Sequence, residues 1–110
     1  MITKQEIKVV KNYLFQFTEY LKDYIKSKIE SENHIELIYT LKHWCRAFNS
    51  DLRLAIELSS IKEGDIDKEQ RKELFHFWSN AIVTMLSKLR REYRYLIDFD
   101  NNNTIYIITP

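Results

Sequence analysis

Apolar residues in the first third of the chain recur as Ile7, Val10, Leu14, Phe17, Leu21 and Tyr24. That 3-4-3-4-3 spacing is the seam of a helix packed nearly parallel to its partners. Thr3-Lys4-Gln5-Glu6 has the form of a capping box, and Ile2 just before it can pack on Ile7 as a hydrophobic staple. A first helix is therefore expected over 4–31, with its stripe drifting past Tyr24 to Ile25 and Ile29. A second pattern, Leu37, Ile38, Leu41, Trp44, Cys45 and Phe48, can be continued through Leu52, Ala55 and Ile56. It predicts a helix over 34–62, opened by a cap at Asn33 and Glu36 after a turn at Ser31 and Glu32. Asn49-Ser50-Asp51 are residues that compete for the backbone, so this region is either one helix or two. Lys62-Glu63-Gly64-Asp65 reads as a loop in which the only glycine ends the helix in a left-handed conformation.

Asp67-Lys68-Glu69-Gln70 is a further capping box and opens a helix expected over 68–93. Leu74, Phe75, Trp78, Ala81, Ile82, Met85, Leu86, Leu89 and Tyr93 form one broad apolar stripe along it. Phe77 and Val83 fall outside that stripe and are candidates for contact with a second element or subunit. The periodicity then changes from 3.6 to 2: residues 95–99 and 104–108 flank Asp100-Asn101-Asn102-Asn103, as in a β-hairpin over about 95–109. Pairing Phe99 with Thr104 places Tyr95, Ile97, Phe99, Tyr106 and Ile108 on one face and Leu96, Asp98, Ile105 and Ile107 on the other. Both faces are largely apolar, so the hairpin either closes the end of the helices or offers a surface to a partner. The fold expected is mainly α: an antiparallel bundle of three or four long helices with a C-terminal β-hairpin, in one domain spanning 1–110.

Composition narrows the class. With 45% hydrophobic and 30% charged residues the chain is not a disordered tail, and one Gly and one Pro leave little for elaborate loops. The net charge of +1 hides segregation, because residues 71–97 carry six basic and two acidic groups while 49–70 carry three and six. No segment is basic enough to demand nucleic acid. The lone Cys45 forms no intramolecular disulfide, and neither a signal peptide nor a membrane span is visible, so a cytoplasmic protein with no membrane association is expected.

Candidate chemistry is sparse. Lys88, Arg90, Arg91 and Arg94, with Tyr93 and Tyr95, form a basic and aromatic cluster that could hold phosphates. Cations in a last helical turn also answer the negative end of the helix dipole, and Tyr93 lies in the core stripe. Arg71-Lys72-Glu73-Leu74-Phe75-His76 fits Arg-x4-His and resembles the short motif of the HEPN ribonucleases, compact helical domains that commonly dimerise to bring Arg and His together on RNA. The resemblance implies His76 as general acid or base and Arg71 as the group that stabilises phosphate charge. The simpler account is a solvent-facing His and an exposed first-turn Arg. His34, His43 and His76 lie in different segments and no ligand set at zinc spacing appears, so no metal or cofactor is expected.

The function expected from these residues is that of a small non-enzymatic regulator or inhibitor, of the kind mobile elements often encode, which docks on another protein. A homodimer is expected, and Phe77, Val83, Leu96, Ile105 and Ile107 are the candidate protein-interaction residues. Nucleic-acid binding through Lys88, Arg90, Arg91 and Arg94 is the alternative, with HEPN-like cleavage behind it.

Overall fold

The structure, a computed structural model, describes residues 1–30, 41–93, 97–99 and 105–107; of 28–29, 41–45 and the last two segments it describes the backbone alone. It is mainly helical, with three helices: α1 (Lys4–Glu30), α2 (Leu41–Leu58) and α3 (Lys68–Glu92).

Helix α1 begins at a completed capping box. The Thr3 amide donates to Glu6 Oε1 at 2.9 Å and the Glu6 amide donates to Thr3 Oγ1 at 3.1 Å. Ile2 and Ile7 on either side are both buried. Farther along, the buried positions are Val10, Leu14, Thr18 and Ile25. From Ile7 to Ile25 this face keeps to the 3.6-residue period of a straight helix, not the 3.5 of a coiled-coil seam. Thr18 therefore occupies the core at 1% exposure, whereas Tyr24, expected in the seam, is 46% exposed. The Thr18 hydroxyl donates to the Phe15 carbonyl at 2.7 Å, so its burial leaves no polar atom unsatisfied.

Helix α2 runs without interruption through Asn49-Ser50-Asp51. The side chains that would compete for their own backbone are engaged by α3 instead: Asn49 Oδ1 accepts from Arg71 Nη2 at 2.7 Å and Asp51 Oδ2 from Trp78 Nε1 at 3.0 Å. The expectation that Gly64 ends this helix is overturned. The left-handed residue is Ser60, with φ of 57°, and no glycine has positive φ. The Ile61 amide donates to the Ile56 carbonyl and the Ser60 amide to the Glu57 carbonyl, each at 3.2 Å. This is a Schellman cap, which stops α2 at Leu58 and turns Ile61 back against the core. Gly64 lies instead in a short 3-10 turn, Glu63–Asp65, with nothing within 4 Å of where a Cβ would sit.

The glycine thus stands where none is needed, and a serine stands where one would help. Ser60→Gly is expected to stabilise the fold by about 1 kcal/mol by relieving left-handed strain, and Gly64→Ala by ~0.4–1 kcal/mol through a less free unfolded chain. Thermal melts of the two variants and their combination check this. A lower Tm for Ser60→Gly would show that the serine makes a compensating contact.

Helix α3 opens on the second capping box, with the Gln70 amide donating to Asp67 Oδ1 at 2.8 Å. Gln70 does more than close it. Its Oε1 also accepts from the Ile2 amide at 3.1 Å and its Nε2 donates to the Ile2 carbonyl at 2.7 Å. The starts of α1 and α3 are thereby tied together, and their ends meet through Lys26–Glu92 at 3.2 Å and a Tyr93–Glu30 hydrogen bond. That bond holds the Tyr93 phenol up to about 12. These two helices, which make the most extensive contact among the described elements, run parallel. In the expected antiparallel bundle this is the relation of first to third helix. Leu74, Trp78, Ile82, Met85, Leu86 and Leu89 form the buried stripe of α3. Helix α2 packs on its first half through Phe48, whose ring meets Phe75 edge to face at 5.1 Å and Trp78 at 5.6 Å.

Most of the expected hairpin lies outside the described residues. Of it, the backbones of β1 (Ile97–Phe99) and β2 (Ile105–Ile107) pair antiparallel, with Phe99 opposite Ile105. That is one residue beyond the Phe99–Thr104 pairing expected; two apolar faces leave the alternation little power to fix a register. Among the described residues, no helix is long and apolar enough to cross a membrane.

Candidate functional site

Because α1 and α3 run side by side in the same direction, a groove forms along their outer flank. Its floor is apolar. Phe15 projects from α1 on the side that carries Lys8, Lys11 and Lys22, and stays 50% exposed because it lies roughly 95° around the helix from the centre of the buried face, at the edge of the contact with α3. From α3 come Phe77, partly buried against the core, and Ala81. Together with Glu19, Thr84 and Lys88 they line a cleft of about 220 Å³.

Ion pairs lie along the same flank of the two helices. Lys11 Nζ sits 2.8 Å from Glu73 Oε1 and 5.5 Å from the centre of the Phe77 ring, so the same ammonium closes a pair and covers an aromatic face. Lys22 pairs with Glu19 at 2.7 Å, a hydrogen bond that holds its ammonium above the ordinary lysine range. Lys26–Glu92 completes the row. Each exposed pair adds little stability.

The residues singled out from the sequence separate in the structure. Phe77 joins the groove. Val83, 37% exposed, projects about 120° away around α3 and belongs to a different flank. Leu96 and Arg94 lie outside the described residues, and Ile105 and Ile107 are described only in their backbone. Of the basic cluster, Lys88, Arg90 and Arg91 are exposed, but Lys88 and Arg90 point about 160° apart, so they do not make one cationic face.

No family model, curated protein or solved structure matches this chain. The Arg71/His76 motif must therefore be judged on geometry. Arg71 is directed into a cleft with Phe48 and Asn49, whereas exposed His76 lines another with Met1, Asp67 and Gln70. Within one chain the two are not brought together. His34, and the side chains of His43 and Cys45, lie outside the described residues.

Phe15 is the functional candidate that the hydrophobic pattern passed over. Its signal was present as an aromatic residue set among the lysines of the outer face of α1. Leu54 and Leu58 on α2 are likewise about half exposed.

Proposed function

We propose that this chain is a small, cytoplasmic, non-enzymatic regulator that acts by docking on another protein through the α1/α3 groove. The observation that carries this reading is the half-exposed Phe15 ring beside Phe77, in a cleft bordered by the charged side chains Glu19 and Lys88. A large aromatic group near the centre of a patch, ringed by polar side chains, is the usual form of an energetic hot spot. The apolar sequence over 95–108 is the candidate for a second contact, and the separate flank carrying Val83 is assigned to pairing with another copy as a homodimer.

The test is cross-linking in cells that contain the native partner, with lysine-reactive reagent and mass spectrometry. Lys11, Lys22 and Lys88 are expected to yield links to one partner protein. Phe15→Asp, an exposed change that should leave the melting curve intact, is expected to abolish them. Links that persist in Phe15→Asp, or that fall only on lysines away from the groove, would overturn the reading.

A further inference from the structure

The cations best placed to hold an anion stand at the beginning of α3 and not in its last turn. A cleft of about 580 Å³ opens there between α3 and the middle of α2. Phe48 and Asn49 of α2 form one side. The other is α3, where the partly exposed Phe75 stands on the same face as Lys68, Arg71 and Lys72, with one carboxylate of the lining, Glu69, at its edge.

Arg71 is held in place before any ligand binds. Its Nη2 donates to Asn49 Oδ1 at 2.7 Å, and its guanidinium lies 6.0 Å from the centre of the Phe48 ring. The contact with Glu63, at 3.9 Å, is too long for a hydrogen bond. A guanidinium has five N–H donors, so most of those on Arg71 remain for another acceptor. Lys68 and Lys72 make no ion pair among the described residues, in contrast to Lys11, Lys22 and Lys26 along the groove. The cleft thus combines a preset guanidinium, two uncommitted ammonium groups and an accessible aromatic ring.

The geometry points to a nucleotide as the ligand, with its phosphate between Arg71, Lys68 and Lys72 and its base against Phe75. Cations alone would take any anion; the adjacent ring selects one that also carries a flat apolar group. Phosphotyrosine has its phosphate in line with its ring and needs a deep pocket. Here the cations and rings lie side by side in an open cleft, which suits a phosphate and a base separated by a sugar. His76 takes no part. The site shares no residue with the α1/α3 groove, so it stands or falls independently of protein docking.

Adenosine monophosphate, a single-stranded oligonucleotide, inorganic phosphate and a phosphotyrosine peptide are each titrated into the full chain at low salt. Amide shifts by NMR and heats of binding are recorded. Adenosine monophosphate is expected to move the amides of Asn49, Arg71 and Phe75, and to bind about tenfold more tightly than phosphate because its base stacks. The double variant Lys68→Gln/Lys72→Gln, exposed and remote from the core, should weaken it about tenfold while the melting curve stays unchanged. Tighter, steeply salt-dependent binding of the oligonucleotide would identify a nucleic-acid strand as the source of the nucleotide. Binding of adenosine monophosphate with no gain from the oligonucleotide would identify a free nucleotide. The inference is overturned by an absence of shifts in the cleft, by phosphate binding as well as adenosine monophosphate, by equal binding of the phosphotyrosine peptide, or by an unchanged affinity in the lysine double variant.

Discussion

Trp78→Phe is expected to lower stability by about 2–3 kcal/mol near neutral pH, most of it through Asp51. The indole is 2% exposed and its Nε1 is 3.0 Å from the Asp51 carboxylate. Phenylalanine keeps much of the ring volume but withdraws the donor, leaving a half-buried charge without it. Burial already pushes the Asp51 carboxyl above its ordinary 3.8, against the opposing pull of the indole. A raised value means that the native state holds this proton more tightly than the unfolded chain does. The contribution of Asp51 is therefore fully favourable below about 3.8 and is lost as pH rises through its folded value. Two outcomes follow, both measurable as urea midpoints across pH. The Trp78→Phe deficit should shrink on acidification, as the carboxyl becomes neutral. Asp51→Asn, which keeps an acceptor for the indole and discards the charge, should exceed the wild type near neutral pH and converge with it in acid. A Trp78→Phe deficit that stays constant with pH would assign the loss to ring packing alone.

Gln70→Ala should cost about 2–3 kcal/mol, a large effect for a helix-start residue, because one amide serves two helices. The substitution removes both bonds to Ile2, at 3.1 and 2.7 Å, and the longer 3.4 Å bond from the Asp67 amide. Asp67 can still cap the Gln70 position through the backbone, so α3 itself should survive. What should be lost is the anchoring of α1. Hydrogen exchange separates the two: the Ile2 amide should lose protection in Gln70→Ala while amides in the middle of α3 keep theirs. Gln70→Glu is the sharper probe, since it retains the acceptor but sets a carboxylate against the Ile2 carbonyl. A cost below about 0.5 kcal/mol for Gln70→Ala would mean that water replaces the amide freely.

Much of the fold was legible because local chemistry and burial agree. Both capping boxes form as their sequences imply, and the apolar stripe of α3 is the stripe that packs. The misreadings have physical causes. The coiled-coil spacing puts Tyr24 in the core of α1 and passes over Thr18, because the helix keeps its natural period and a satisfied threonine hydroxyl is invisible to a hydrophobic pattern. The break suspected at Asn49-Ser50-Asp51 assumed that those side chains answer only to their own backbone. Arg71 and Trp78, more than twenty residues away, claim two of them. Gly64 was assigned the left-handed turn on propensity; the return of Ile61 to the core put Ser60 there instead. For the candidate surfaces the limit is of another kind. Phe77 and Val83 look equivalent along the chain, and only the placement of α1 against one side of α3 sets them on different flanks. Phe15 becomes notable for the same reason.

The parallel pairing of α1 and α3 bears on how this chain leaves the ribosome. The main partner of α1 among the described helices is α3, and the residues that fasten its beginning, Gln70, and its end, Glu92 and Tyr93, lie more than sixty positions downstream. At ~5–20 residues per second, α1 waits roughly 3–12 s for α3 to cover its share of the buried face. Its nascent chain should therefore be a longer-lived client for chaperones than its size suggests, and a translational pause between α2 and α3 should lower the yield of folded protein more than an equal pause after α3.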